Sequence, residues 1–254
     1  MERWRGKVAI VTGASSGIGF VIARELLKNG VRVAAIGRKP DLLQKVEEKL
    51  ASTVSGVTVG DNLKGIKCDV SNENDVISAI SWIESNWGVT SILVNCAGVF
   101  ISNPIMEGSA EAVTSIFSSN VFGITNCVRE VIRSMKKHNT NDGHIININS
   151  ICGHHVMVSP TIGTHTASKF AVTALTESLK NELALKKMPI KVTSISPGLV
   201  ATEMVSNIKT LQHLPKLNAD DVANCVIFAL STPPNVQISE LTVEPVGELL
   251  TSFS

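Results

Sequence analysis

Short β-branched runs alternate with longer segments of helical period along nearly all of this 254-residue chain. The runs that predict strands are 8–12, 32–37, 65–69, 91–95, 144–149, 191–196 and 240–244. Apolar residues recur near helical spacing in 17–29, 41–52, 72–86, 111–138, 164–187 and 220–231. Strands separated by helices favour a parallel sheet that is covered on both faces. The alternation therefore predicts an α/β fold: a Rossmann-type, doubly wound, seven-stranded parallel sheet with helices on both faces.

No change of composition marks a boundary between domains. A hydrophobic content of 44% in a chain of this length suits one α/β domain over residues 1–254. The least regular segment is 198–218, which follows the sixth predicted strand. Ligands bind beyond the carboxyl ends of strands in doubly wound sheets, so 198–218 is a candidate substrate loop. A plain surface connection explains the segment about as well.

Charge and cysteine content exclude several classes of protein. The net charge is +1, and no basic stripe or acidic tail is present, so we expect no nucleic-acid partner. The five cysteines are scattered without a C-x-x-C pair, which indicates reduced thiols in a cytoplasmic protein. No window approaches the roughly 18 to 20 apolar residues of a spanning helix, so we expect no membrane span. Peripheral association with a membrane stays open.

A glycine-rich turn follows the first predicted strand and opens the first predicted helix. Gly13 allows the tight turn, Gly17 lets the backbone approach a pyrophosphate, and Gly19 lets the helix pack close to the strand. The free N–H groups of the helix then face the phosphates. The turn lacks the Gly-Lys-Ser/Thr of a nucleotide triphosphatase. This pattern predicts a dinucleotide site that contains Gly13, Ser15, Ser16, Gly17, Ile18 and Gly19.

The end of the second predicted strand indicates which dinucleotide is bound. An NAD site places an acidic residue there, whereas this chain has Arg38 and Lys39. Two cations in place of the acid favour a 2′-phosphate and therefore NADP(H). The alternative is that both are solvated surface charges.

Further motifs in the same order resemble the short-chain dehydrogenase/reductase family over nearly the whole chain. Residues 95–98, Asn-Cys-Ala-Gly, are similar to the family's Asn-Asn-Ala-Gly, with cysteine in place of the second asparagine. Asp69 stands where the family's aspartate contacts adenine, and 196–202 is similar to the nicotinamide-side Pro-Gly motif. The resemblance implies a homodimer or homotetramer. It implies that the cofactor is also bound by Asp69, Val70, Asn95, Ala97, Gly98, Lys169, Pro197, Gly198, Val200 and Thr202.

Within the family, the chain most resembles the farnesol dehydrogenase-like group, which includes a broad-specificity carbonyl reductase. This likeness depends on segments 1–5, 143–150, 171–177 and 232–238. It implies an NADP-dependent alcohol dehydrogenase or carbonyl reductase with a lipophilic, isoprenoid or steroid-like substrate.

The family's Tyr-x-x-x-Lys pair is altered here, because the chain contains no tyrosine. His165 stands four residues before Lys169, which places both side chains on one face of a helix. The resemblance implies that Ser150 polarises the substrate oxygen, Asn120 holds a relay water and Lys169 completes the proton relay. These four residues are the candidate catalytic set.

Imidazole can exchange a proton near neutral pH, but a phenol oxygen reaches roughly 2 Å further from the backbone. We therefore expect a slow enzyme that uses His165. One alternative is an NADP(H)-binding protein with an impaired site that acts as a sensor or interaction partner, and another is a substitution at this position. Adjacent His154 and His155 point apart without a completing cluster, so we expect no metal site.

Overall fold

The computed structural model describes residues 1–140, 142–159, 161–206, 208 and 211–248. The described strands form one parallel sheet in the order β3-β2-β1-β4-β5-β6-β7, which confirms the predicted fold. The strands are β1 (Val8–Thr12), β2 (Arg32–Gly37), β3 (Leu63–Lys67), β4 (Thr90–Asn95), β5 (Gly143–Ile148), β6 (Ile190–Pro197) and β7 (Glu240–Val243). The third strand lies two residues earlier than the predicted 65–69.

Helices connect the strands. They are α1 (Gly17–Lys28), α2 (Pro40–Thr53), α3 (Glu73–Trp87), α4 (Ala110–Phe117), α5 (Gly123–Lys137), α6 (Gly163–Leu185), α7 (Glu203–Ser206) and α8 (Ala219–Ser231). Short 3-10 helices cover Glu2–Trp4 and Ile151–Gly153. None of the helices in the described ranges is long and apolar enough to cross a bilayer.

One predicted helix is divided, and the candidate substrate loop contains a short helix. The single helix expected over 111–138 is interrupted by a π-helical turn, Ser118–Phe122, which separates α4 from α5. The segment 198–218 contains the short helix α7, and its residues 207, 209 and 210 lie outside the described residues. A π turn inserts an extra residue into a helix and is often found at functional sites.

The sheet packs between two hydrophobic clusters. In β1, Ala9 and Val11 belong to the cluster with α1, α2 and α8, whereas Val8 and Ile10 belong to the cluster with α3, α5 and α6. This division follows from the alternation of side chains across a strand. Since both faces of the sheet are covered, a ligand can reach the sheet only at the ends of its strands.

The strand order reverses at β1, which pairs with β2 on one side and β4 on the other. The carboxyl ends of β1 and β4 therefore border a crevice, the usual ligand position in this type of sheet. The Thr12 hydroxyl stabilises this edge by accepting hydrogen bonds from the backbone N–H groups of Cys96 and Ala97, both at 3.0 Å.

Candidate active site

A cavity of about 260 Å³ lies against the glycine-rich turn between β1 and α1. A Cβ on Gly13 would lie 2.8 Å from the Ala97 Cα, and a Cβ on Gly19 would lie 2.8 Å from the Gly13 carbonyl carbon. Glycine is therefore required at both positions by close packing. Ser16 is the N-cap of α1 and makes no side-chain capping bond, so this helix end keeps backbone donors for an anion.

Most of the predicted cofactor-binding residues line this cavity, which we call the dinucleotide cavity. The whole set from Gly13 to Gly19 predicted above is present, together with Arg38, Asp69, Val70, Ala97, Gly98 and Thr202. Six predicted residues do not line it. Four of them, Lys169, Pro197, Gly198 and Val200, line the second cavity described below, and Lys39 and Asn95 line neither cavity. Lys39 is exposed at the start of α2, and Asn95 is buried, where its amide donates to the Asn147 side chain at 2.9 Å.

The dinucleotide cavity fits a nicotinamide dinucleotide. The glycine turn and the start of α1 supply donors and close backbone approach for phosphates, and Arg38 is a cation at the end of β2. The Asp69 carboxylate accepts from the Ser71 backbone and hydroxyl, which fixes its position at the cavity wall.

A second cavity of about 500 Å³, here called the substrate cavity, continues from the first. All four candidate catalytic residues line it, and so do Pro197, Gly198 and Val200. The two cavities have a common boundary, here called the shared wall. It consists of Ile18, Cys96, Gly98, Val99, Thr202 and Met204.

The rest of the substrate cavity is largely apolar. Phe100, Met157 and Leu199 contribute to its lining, as do Val205 and Leu211 from the segment 198–218. Lys169 and Glu248 are the charged side chains among its described lining residues. Its volume falls within the range of roughly 300 to 1,000 Å³ that is typical of small-molecule sites.

His165 lies in the first turn of α6 and lines the substrate cavity. Its ring packs edge-on against Phe100, with 5.2 Å between ring centroids. Burial, with a further effect of the Lys169 charge, lowers the pKa of His165 to about 3, while the Val99 backbone acts in the opposite direction. The imidazole is therefore neutral at physiological pH.

One nitrogen of the His165 ring, Nδ1, is buried and forms no hydrogen bond of ordinary geometry with the described residues. A hydrogen bond between the ring and the Val99 backbone is the influence that raises the His165 pKa. The residue lines the substrate cavity, so its ring is within reach of a ligand bound there.

Lys169 lies one turn further along α6, and its Nζ donates to the Ile148 carbonyl at 3.0 Å. Burial lowers the pKa of Lys169 to about 8, although Cys96 and Cys152 act in the opposite direction. The ammonium form still predominates at pH 7. Burial raises the pKa of Cys96 to about 12, so this neighbour stays a neutral thiol.

Ser150 follows β5 and caps the 3-10 helix Ile151–Gly153. Its Oγ accepts a hydrogen bond from the Cys152 backbone N–H at 3.1 Å. Because that bond uses a lone pair, the Ser150 hydroxyl hydrogen stays available to a ligand oxygen.

Asn120 lies in the π-helical turn and is buried. Its side chain accepts from the Val99 N–H at 2.8 Å and donates to the Val99 carbonyl and the Ser168 hydroxyl, each at 3.1 Å. The Asn120 side-chain amide is thus engaged with protein groups, and the expected role of this residue in holding a relay water stays a prediction. Asn120 also joins the shared wall to α6, since Ser168 in turn donates to the His165 carbonyl.

Several lining residues were not identified from the sequence. Glu248 is the main one: it accepts from the Leu199 N–H at 3.0 Å, and burial raises its pKa. Met157 and Phe100 are ordinary apolar residues in loops, and nothing in the sequence distinguishes them from core residues. Among the described residues, no cluster of three His, Cys, Asp or Glu side chains could hold a metal ion.

Comparison with known proteins covers almost the whole chain. A family model described as short chain dehydrogenase matches residues 7–212. The chain is 39% identical over 249 residues to farnesol dehydrogenase of Aedes aegypti, covering 98% of this chain and 99% of that protein. It is also 39% identical over 258 residues to dehydrogenase/reductase SDR family member 11 of Mus musculus, covering 98% of each.

Solved structures show the same architecture. The closed form of a serine dehydrogenase complexed with NADP+ matches with a TM-score of 0.84 and 30% identity, covering 95% of this chain and 96% of that one. A short-chain type dehydrogenase/reductase from Mycobacterium marinum matches with a TM-score of 0.86 and 26% identity, covering 95% of each chain.

Proposed function

This chain belongs to the short-chain dehydrogenase family, and on that premise we propose that it is an NADP(H)-dependent oxidoreductase of lipophilic carbonyls or alcohols. The resemblance to the family and to its farnesol dehydrogenase-like group, predicted from the motifs, is confirmed by the two relatives. The observation that carries the proposal is the meeting of Ser150, His165 and Lys169 in one cavity that continues from the dinucleotide cavity.

Three observations support NADP(H) over NAD(H). Arg38 lines the dinucleotide cavity at the end of β2, where an acidic residue would favour the unphosphorylated ribose. A solved relative with 30% identity over 95% of this chain was obtained with NADP+. Lys39 is exposed beside Arg38 and adds positive charge near the same position.

The lipophilic substrate is supported by the apolar lining of the substrate cavity and by the relative named farnesol dehydrogenase. A carbonyl at one end of an isoprenoid or steroid-like skeleton would lie against Ser150 and His165. The skeleton would then contact Phe100, Met157 and Leu211. We further propose that residues 198–218 act as a substrate loop within a single domain over 1–254.

The protein groups have separate tasks in this chemistry. The bound cofactor supplies or accepts a hydride at its nicotinamide ring. Ser150 donates a hydrogen bond to the substrate oxygen, where negative charge develops during reduction. His165 contacts the same oxygen with its imidazole ring. Lys169 provides a positive charge near the oxygen, and Asn120 holds α6 against the shared wall.

An impaired NADP(H)-binding protein is the second candidate, and one observation favours it. His165 is neutral, and its ring ends roughly 2 Å short of the position that a phenol oxygen would reach. Such a protein would bind the cofactor as a sensor or interaction partner. It would retain the dinucleotide cavity and lose efficient turnover.

A paired assay separates the two candidates. NADPH and NADH oxidation are followed with a panel of isoprenoid, steroid and short-chain aldehydes and ketones, and NADPH binding is measured by calorimetry. Turnover with NADPH that requires a lipophilic carbonyl and is lost in Ser150→Ala is the expected result. Tight NADPH binding without turnover for any member of the panel would establish the impaired protein instead.

We also propose that the protein is a cytoplasmic homodimer or homotetramer. The supporting feature is a groove of about 400 Å³ between α5 and α6, whose apolar residues include Val128, Ile132 and Leu179. Light scattering during size-exclusion chromatography measures the oligomeric state, and a monomer would contradict this expectation.

A further inference from the structure

A polar network lies beside the substrate cavity without lining it. It consists of His154, Ser194, Ser196 and Glu240, and we call it the Glu240 network. Oε1 of Glu240 lies 2.6 Å from His154 Nε2. The same oxygen accepts a hydrogen bond from the Ser196 hydroxyl at 2.7 Å and one from the Ser194 hydroxyl at 3.2 Å. None of these four described residues lines either cavity, so the network does not bind cofactor or substrate directly.

The fold brings these residues together from three segments of the chain. Ser194 and Ser196 are alternate residues of β6, so their side chains lie on the same face of the sheet. Glu240 begins β7, which pairs with β6, and it is in register with Ser194. His154 directly follows the short 3-10 helix after β5. The network therefore joins β6 and β7 to the end of the turn that follows β5.

Serine, histidine and an acid also form the active sites of many hydrolases, but the geometry here does not support that chemistry. In such a site the serine and the acid bond to different nitrogens of the histidine. Here Ser196 Oγ, at 3.1 Å, and Glu240 Oε1 contact the same nitrogen, Nε2 of His154. Ser196 is also fully buried and donates its hydroxyl hydrogen to the carboxylate. The network therefore holds segments of the protein in place and does not attack a ligand.

The network is connected to two sides of the substrate cavity. On one side, His154 directly follows the 3-10 helix that Ser150 caps, and within that helix the Cys152 N–H donates to Ser150 Oγ at 3.1 Å. On the other side, Ser196 precedes Pro197, which lines the cavity. The separation between the Ser150 hydroxyl and the wall at Pro197 therefore depends on how firmly this turn is held to β6.

The rest of the turn is attached independently of the network. The Asn149 backbone N–H donates to the Ile195 carbonyl of β6 at 2.7 Å. The Thr173 hydroxyl of α6 donates to the Gly153 carbonyl at 3.0 Å. Because these bonds would remain, we expect loss of the network to loosen the end of the turn without unfolding it.

We propose that His154 is a positioning residue for the reaction: through Glu240 and Ser196 it holds the Ser150 hydroxyl at a fixed distance from the wall at Pro197. This inference rests on the proposed function. Ser150 donates to the substrate oxygen, where charge develops during reduction. A misplaced hydroxyl should therefore slow the chemical step more than it weakens binding of the substrate. A displacement of about 1 Å can cost approximately 100-fold in rate.

Kinetics of NADPH oxidation with a lipophilic carbonyl test the proposal. His154→Ala and Glu240→Ala should each lower kcat by roughly tenfold to 100-fold, while the carbonyl KM and the NADPH affinity stay within about twofold. The double variant should lose no more than either single variant, because both substitutions remove the same contact. His154→Gln should recover most of the rate, because its amide nitrogen is as many bonds from the backbone as Nε2 and can donate to Glu240.

A second histidine–glutamate pair provides the matched control. His138 Nε2, at the end of α5, lies 3.3 Å from Glu84 Oε1 of α3, and neither residue lines either cavity. His138→Ala should leave kcat within about twofold of the unaltered protein. A loss as large as that of His154→Ala would mean that removing any such pair lowers the rate, and would contradict the positioning role.

Amide hydrogen exchange provides a readout that needs no turnover. Labelling with ¹⁵N-cysteine places one NMR probe at each of the five cysteines, and Cys152→Ser assigns the signal of Cys152. Its N–H is bonded to Ser150 Oγ, so a loosened turn should exchange this hydrogen at least about tenfold faster in both His154→Ala and Glu240→Ala. Cys127, within α5, is the internal reference and should keep its exchange rate.

Two results would overturn the positioning role. One is an unchanged kcat, or an unchanged exchange rate at Cys152, in Glu240→Ala. The other is a loss of rate in His154→Ala that His154→Gln does not recover. If the unaltered protein reduces no carbonyl, the proposed function fails; turnover that is insensitive to both His154 and Glu240 rejects this inference alone.

Discussion

Replacing His165 with tyrosine should accelerate carbonyl reduction. The tyrosine would begin at the same position of α6 and extend its hydroxyl into a cavity of about 500 Å³, past the edge of Phe100. The Lys169 charge one turn away would lower the phenol pKa from its ordinary value and keep the phenol close to an available proton. Ser150 and Asn120 would be unchanged.

The size of the gain follows from distance. The phenol oxygen lies roughly 2 Å beyond the imidazole nitrogen, and a misplacement of about 1 Å can cost approximately 100-fold in rate. A direct general acid contributes roughly 10² to 10⁴. We therefore expect kcat for reduction at pH 7 to rise about 100-fold in His165→Tyr, which corresponds to about 2.7 kcal/mol of activation free energy.

The assay is NADPH oxidation under saturating cofactor with one lipophilic aldehyde and one ketone. His165→Phe is the matched control, because it adds the same ring volume without a hydroxyl. It should be no faster than the unaltered protein. NADPH affinity from calorimetry should be similar in all three proteins, since His165 lines the substrate cavity and not the dinucleotide cavity.

The reasoning fails if His165→Tyr is no faster than the unaltered protein while binding NADPH equally well. It also fails if His165→Phe gains as much, because the gain would then come from packing. A rate for the unaltered protein that already equals the tyrosine variant would mean that the imidazole is not limited by reach.

Three further outcomes are expected. Gly19→Ala should weaken NADPH binding at least about 100-fold, because the added Cβ would meet the Gly13 carbonyl and displace the start of α1 from the glycine-rich turn. Calorimetry measures this affinity, and unchanged binding would refute the role of Gly19. Arg38→Ala should weaken NADPH binding by roughly tenfold to 100-fold and leave NADH binding unchanged, since only one ligand carries a 2′-phosphate; an equal loss for both would contradict NADP(H) specificity. Burial lowers the pKa of His144 to about 3, so the folded state excludes a proton that the unfolded chain binds below about pH 6.5. The free energy of unfolding should therefore fall on acidification between these two values, by up to roughly 1.4 kcal/mol per pH unit. Denaturation of His144→Asn at several pH values should show a shallower dependence of the unfolding free energy on pH.

Local patterns were sufficient for the fold and the dinucleotide cavity. The β-branched runs gave β1 and β2 with correct ends, because buried parallel strands need apolar residues on both faces. Gly13, Gly17 and Gly19 were found for a similar reason, since the backbone conformation and close packing at a strand-turn-helix junction restrict the residue type directly.

Residues whose partners are distant in sequence were beyond the reach of those patterns. The Asn120 amide bonds Val99, 21 positions away, and Ser168, 48 positions away, and neither contact was predicted. Asn95 bonds Asn147, 52 positions away, and so is turned from the cavity. Glu248 reaches Leu199 across 49 positions. Such contacts are decided by packing, which local periodicity does not encode.

The shared wall has a consequence for how variants of this protein are screened. A side chain such as Val99 borders the dinucleotide cavity on one side and the substrate cavity on the other. Under the proposed function, we expect a change of its volume to alter the affinities for coenzyme and substrate together, so that selection for a bulkier substrate would also shift the coenzyme requirement. A library built on Met157 and Leu211, which border only the substrate cavity, would change selectivity for the organic substrate while leaving the coenzyme requirement intact.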